Sequence, residues 1–247
     1  MTTTTESRRD RQRAATEAEI KTVARRQLVA SGGAELSLRG IAREMGMTAP
    51  GLYRYFDSLA ELTAAMCLDY VDEVGRHIDA ALAGTGPDLS ERMHVAVRAF
   101  RDWAVDHPAE FGLLFRSKGP GPVGFHSAPG HGPDWSDDCD HSKLFARLFL
   151  DLFVDLWQQQ PFELPDAEHL PGEVVEQLAG LRRLAKGDVP DGAVWVFAHA
   201  WVRLYSVIAL EVLGHLEFMF TDVEPYFEAE LHAVAHTIGL EYVPRER

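Results

Sequence analysis

Apolar residues recur at the i, i+3, i+4, i+7 spacing of one helix face along nearly the whole chain, and few runs alternate apolar with polar residues or string β-branched residues together. The pattern predicts an all-α protein. The first inward stripe, Ile20, Val23, Ala24 and Leu28, places a helix from about Glu17 to Ala30 that ends at Gly32-Gly33. A second stripe, Leu38, Ile41, Ala42 and Met45, opens behind Ser37 as N-cap and stops at Gly46. The stripe restarts almost at once with Ala49, Leu52, Tyr55 and Phe56, predicting a brief third helix over 49–56 with Pro50, Gly51, Tyr53 and Arg54 outward. A long helix from Leu59 to about Leu82 follows and breaks at Gly84-Thr85-Gly86-Pro87. Thr16-x-x-Glu19, Ser58-x-x-Glu61 and Asp88-x-x-Glu91 each set a capping oxygen three residues before a Glu, which marks a helix start.

Further helices are predicted near 89–106, 108–116, 143–159, 172–186, 192–220 and 223–238, with a Gly-, Pro- and His-rich loop over 117–138 that reads as a lid or a mobile segment. The stretch 192–220 is apolar nearly all round its helix and needs cover on two sides. Large apolar groups with few polar ones make the usual ligand pocket. Trp103, Phe111, Phe115, Phe145, Phe149 and Trp157, on helices between the two ends of the chain, are the candidate lining.

Charge changes the picture, because the net −14 hides an asymmetry. Residues 1–56 hold 10 Lys and Arg against 6 Asp and Glu, a balance of +4, which leaves −18 for the remainder. Only the N-terminal end welcomes phosphate. Residues 1–15, with Arg8, Arg9, Arg11 and Arg13 and no apolar stretch, read as a disordered basic arm and not as a signal peptide or anchor. Cys67 and Cys139 have no zinc or disulfide spacing, and the apolar stretch 192–220 is interrupted by His199, Arg203, Glu211, His215 and Glu217. The expectation is a soluble, cytoplasmic protein without a membrane segment.

Two short helices joined by a tight turn form a helix-turn-helix, whose second helix enters the DNA major groove. Here Gly46 permits the turn and Thr48 caps the second helix. Arg54 can fork onto guanine O6 and N7, Tyr53 can reach a phosphate or base, and Pro50 and Gly51 keep the leading edge of the helix low. Ser37, Arg39, Thr48, Ala49, Pro50, Gly51, Tyr53 and Arg54 are the expected DNA-contacting set.

The run "LSLRGIAREMGMTAPGLYRYFDSLAELTAAM" resembles the DNA-binding domain of the TetR family of bacterial transcriptional regulators, with Leu52-Tyr53-Arg54-Tyr55-Phe56 at its recognition helix. "DHPAEFGLLF" and "AWVRLYSVIALEVLGHLEFMF" resemble the C-terminal half of a TetR subgroup. One departure is Leu59, where the family often carries a Lys that touches phosphate; Arg39 or the basic arm would substitute. The resemblance implies a basic arm over 1–15, a three-helix DNA-binding domain over 16–62, and a larger helical effector-binding and dimerisation domain over 63–247. It further implies a homodimer on a palindromic double-stranded operator, acting as a repressor and released by a small-molecule effector. The two-sided helix at 192–220 and the last helix then form a four-helix dimer bundle through Trp201, Tyr205, Ile208, Val212, Leu231, Val234 and Ile238.

Two other functions were weighed. A metal-responsive regulator would use His232 and His236 with Glu228 on one helix face, or His126, His131, Asp134, Cys139 and His141. A helical enzyme finds no support: the sequence has no phosphate-binding Gly-rich loop, nucleophile elbow or His-Glu-x-x-His. No catalytic residue and no cofactor is expected.

Overall fold

The computed structural model describes residues 7–33, 36–115, 141–165, 170 and 172–245, without the side chains of 141–145. The expected loop at 117–138 and the 126–141 His/Cys/Asp group lie outside the described residues. Ten helices follow one another: α1 (Arg8–Ala30), α2 (Leu38–Glu44), α3 (Ala49–Leu52), α4 (Leu59–Leu82), α5 (Leu89–Asp106), α6 (Pro108–Phe115), α7 (His141–Gln159), α8 (Gly172–Leu184), α9 (Asp191–Val212) and α10 (Glu224–Thr237). Among the described residues there is no strand, and the all-α expectation holds.

Three helices differ from their predicted bounds. α1 begins at Arg8, because Ser7 and Asp10 form a reciprocal capping box in which each side chain accepts the other's backbone N–H at 3.2 Å. Thr16, the predicted cap, lies inside the helix and donates its hydroxyl to the Gln12 carbonyl. Described residues 8–15 of the expected disordered arm are therefore helical. α3 is one turn long, although the Phe56 N–H still reaches the Leu52 carbonyl at 3.2 Å. α9 stops at Val212 and not near Phe220. There the His215 N–H bonds the Leu210 carbonyl at 2.8 Å and the Gly214 N–H bonds Glu211 at 2.9 Å. Gly214, at φ 72°, supplies the left-handed residue that this Schellman ending needs. Apolar periodicity carried on past the glycine, so composition alone overran the helix.

The chain divides into two compact units, each with its own core. The first takes the described residues up to Tyr70 and adds α6. α1 packs on α2 and α6, and α2 on α3, burying Ile20, Leu28, Ile41, Leu52, Leu62 and Met66 together with Phe111 and Leu114 of α6. The second unit runs from Val71 to His107 and resumes with α7. Its core is built where α9 meets α5, α7, α8 and α10, with Phe100, Phe149, Phe153, Phe197, Ile208 and Phe227 buried. α4 supplies residues to both, Tyr70 closing the first and Val71 opening the second. This division falls at 70/71, not 62/63, and assigns α6 to the N-terminal unit. By length and composition α9 is a described helix apolar enough to cross a membrane. In its unit it is a packed helix instead: Ala193, Val194, Phe197, Leu204, Val207 and Ile208 are buried, and Arg203 pairs with Glu230 of α10 at 2.6 Å.

Candidate DNA interface and apolar cavity

Every polar backbone group at the α2–α3 corner that needs a partner finds one locally. Ser37 Oγ accepts the Gly40 N–H at 3.0 Å, and Thr48 Oγ1 accepts the Gly51 N–H at 3.2 Å. Between them Gly46, at φ 65°, ends α2 with the Met47 N–H on the Ala42 carbonyl at 2.8 Å. Leu52 and Phe56 are buried and pin the second element, which leaves Tyr53 47% exposed and Arg54 fully on the surface. Ser37, Arg39, Thr48 and Pro50 are also exposed; Ala49 and Gly51 are half-buried.

The charges on this unit are sorted as well. Neither Arg39 nor Arg54 forms an ion pair among the described residues, whereas Arg26 Nε and Gln27 Nε2 both hold Glu44, at 2.9 and 2.6 Å. The Gln27 and Arg26 bonds keep the Glu44 carboxyl below its ordinary range, so the single acid of α2 is compensated. Arg13, from the helical extension of α1, lies over the Tyr55 ring at 5.7 Å. An exposed phenol and guanidinium beside unpaired arginine is the chemistry that grips phosphate and reads base edges.

The second unit encloses a cavity of about 60 Å³. α5 contributes Met93, His94, Val97 and Phe100, and α7 contributes Phe149 and Phe153. α9 adds Phe197, Trp201, Leu204, Tyr205 and Ile208, while α10 and the following residues close it with Leu231, Val234, Ile238 and Leu240. The rings interlock: Phe100 meets Phe149 edge-on at 5.7 Å and stacks on Trp201 at 6.3 Å. Burial pushes the Tyr205 hydroxyl up to about 12, so it stays neutral. Outside the cavity Arg98 grips Glu228 through two bonds of 2.7 Å, Tyr242 Oη–H donates to the same carboxylate at 2.6 Å, and Arg98 also bonds the Val243 carbonyl. A larger open groove of about 610 Å³ between α4, α5 and Val243–Arg245 has its arginines already paired, Arg98 with Glu228 and Arg245 with Asp102.

Residues 20–66 match the family model for bacterial regulatory proteins of the tetR family, and residues 93–234 match the model for the tetracyclin repressor-like C-terminal domain. The chain belongs to the TetR family. Its members are regulators and not enzymes. The crystal structure of the regulatory protein SCO4313 is similar at 32% identity with a TM-score of 0.66, covering 93% of this chain and all of that one. RolR, solved in complex with resorcinol, has a TM-score of 0.57 at 13% identity over 94% of this chain and 91% of its own, a likeness of fold alone. The HTH-type transcriptional regulator Rv1816 of Mycobacterium tuberculosis is 40% identical over 114 residues, 46% of this chain. That match spans 47% of Rv1816, about half the length of the curated relative.

Within this TetR chain the expected DNA-contacting residues cluster at one corner, and most of them are exposed. The expected effector lining does not assemble. Only Phe149 lies at the cavity. Trp103 is buried core, its Nε1–H donated to Glu73 at 3.1 Å; Phe111 and Phe115 pair on α6 in the other unit; Trp157 packs edge-on against Phe162. The Phe145 side chain lies outside the described residues. The expected dimer set is likewise corrected. Ile208, Leu231, Val234 and Ile238 are buried within the single chain and line the cavity with Trp201 and Tyr205, and Val212 is half-buried. Exposed apolar residues sit elsewhere on the same elements: Val202, Leu210 and Leu213, then Phe218, Met219 and Tyr226, with Phe218 82% exposed. The offset arose because α9 is apolar all round, so periodicity could not tell its inner face from its outer one. Glu228, the middle of the proposed metal face, is taken by Arg98 and Tyr242. Among the described residues no group of three His, Cys, Asp or Glu could hold a metal.

Proposed function

We propose that the protein is a cytoplasmic, ligand-responsive transcriptional regulator, a repressor, that binds a palindromic operator as a homodimer and leaves it when a small molecule enters the second unit. The observation that carries this reading is the α2–α3 corner: Tyr53 and Arg54 project from a turn fixed by buried Leu52 and Phe56, with Arg39 unpaired nearby. Tyr53 and Arg54, with Thr48 and Pro50 at the leading edge, address the major groove; Ser37 and Arg39 address the phosphate backbone, with the α1 arginines beside them. The effector site is the apolar cavity bounded by α5, α7, α9 and α10. The dimer face is the exposed apolar set of Val202, Leu210, Leu213, Phe218, Met219 and Tyr226. An effector acts through its differential affinity for DNA-competent and DNA-incompetent states, a coupling of about 1–3 kcal/mol. α4, which supplies both units, is the covalent element that carries it.

Footprinting purified protein on the DNA flanking its own gene, at several salt concentrations, tests the reading. A two-fold symmetric footprint with a steep salt slope supports it. Weak protection that ignores sequence, there and in a selection from random DNA, refutes it.

A further inference from the structure

His94 is 1% exposed on α5 and lines the cavity. Its Nδ1 lies 2.6 Å from the carbonyl oxygen of Ser90. A carbonyl only accepts, so Nδ1 carries the proton in this contact. In the neutral ring Nε2 is then a bare acceptor. Burial, the largest influence on the group, pushes the His94 pKa below its ordinary value; the Arg98 charge adds to this, while the Ser90 bond and the Glu228 and Asp88 charges oppose it. The ring is thus neutral at physiological pH. Nε2 is buried and has no hydrogen-bond partner among the described residues.

A buried acceptor without a donor is costly, and buried polar groups are nearly always matched. Around it the cavity offers aromatic and aliphatic side chains, with Tyr205 the other polar one. We propose that the cavity takes a small, neutral, single-ring aromatic molecule bearing one hydrogen-bond donor, of the phenol class, whose donor bonds His94 Nε2. The inference rests on reading this cavity as the effector site. The ring faces of Phe100, Phe149 and Trp201 suit a flat apolar body, and the absence of a cationic side chain from the lining disfavours a carboxylate. A single aromatic ring needs a cavity of roughly 150 Å³, so the present 60 Å³ enlarges on binding. Trp201 is half-buried at the wall and is the ring free to turn.

Phenol, toluene and benzoate are titrated into the full chain, followed by tryptophan fluorescence and thermal melting, and then into its complex with operator DNA. Phenol should bind about tenfold tighter than toluene, which has the same shape without the donor, and benzoate should not bind. His94→Phe should abolish the preference for phenol by weakening phenol alone. Should that variant not fold, the phenol-to-toluene ratio in the unaltered protein still decides. Equal binding of phenol and toluene overturns the donor inference and leaves the effector reading standing. A preference for phenol without release of DNA upholds the ligand class and removes the effector reading. Binding of none of the three overturns both.

Discussion

Arg25 of α1 donates its Nε–H to Glu110 Oε1 at 2.7 Å, joining α1 to α6 across 85 residues of chain. The carboxylate is the buried partner: Glu110 is 3% exposed, whereas a third of the Arg25 side chain reaches solvent. Arg25 also lies 5.2 Å over the Tyr70 ring. Removing one member of such a pair costs most when the charge left behind is the buried one. Arg25→Ala should therefore lower stability by about 3 kcal/mol and Glu110→Ala by about half of that, measured from urea midpoints. Equal losses would show that Glu110 finds another partner.

Arg54→Ala should weaken operator binding by roughly 1–3 kcal/mol per half-site and relax base preference, while Arg39→Ala should weaken all sequences alike and flatten the salt slope by about one contact. Fluorescence anisotropy on matched and mismatched duplexes separates the two. Unchanged sequence preference in Arg54→Ala removes that residue from base reading.

Two groups make stability fall in acid. His94, held by burial below its ordinary 6.5, refuses a proton that the unfolded chain accepts. Its contribution is whole above about pH 6.5 and is lost as pH falls from there. Burial pushes Glu228 up, but the bonds from Arg98 and Tyr242 and the charges of Arg98 and Arg245 outweigh it and hold the carboxyl below 4.5. Its contribution is present above that pH and disappears below it. Denaturation series from pH 8 to 3.5 should show both declines, and His94→Phe should flatten the upper one only.

Leu213→Glu and Phe218→Glu place a carboxylate on the exposed apolar face past the end of α9. Each should raise the dimer dissociation constant by roughly a hundredfold without changing helicity, read by sedimentation and circular dichroism. Ala200→Glu, on the cavity side of α9, should unfold the unit instead. A dimer unaffected by both surface changes places the interface elsewhere.

Burial pushes the Cys67 thiol up to about 12. In a Cys139→Ser background Cys67 should resist a disulfide reagent at pH 8 until denaturant is added, because the thiolate is the reacting form. Prompt modification in native conditions contradicts its place in the core.

The N-terminal corner was legible because its cues are local: Ser37 and Thr48 cap within three residues, Gly46 turns the chain, and Leu52 and Phe56 leave only Tyr53 and Arg54 to face out. The second unit was legible as helices and illegible as faces. α9 carries apolar residues on every side, so Ile208 at the cavity wall and Leu213 at the surface look alike in sequence, and only packing against α5, α7 and α10 separates them. His94 gave no signal at all. Its meaning comes from the Ser90 carbonyl, which fixes its proton, and from a cavity whose other walls lie more than 50 residues away.

The place of α6 bears on how such proteins can be rearranged. The chain leaves the N-terminal unit along α4 and comes back at Pro108, so no single cut yields the head intact. A fragment ending at residue 70 would keep the DNA-reading corner but strip Arg25 of Glu110 and uncover the surface that Phe111 and Leu114 bury. Exchanging heads between relatives at the α4 junction carries the same fault unless α6 moves with them. The reading head is thus inherited in two pieces, and a chimaera must respect both.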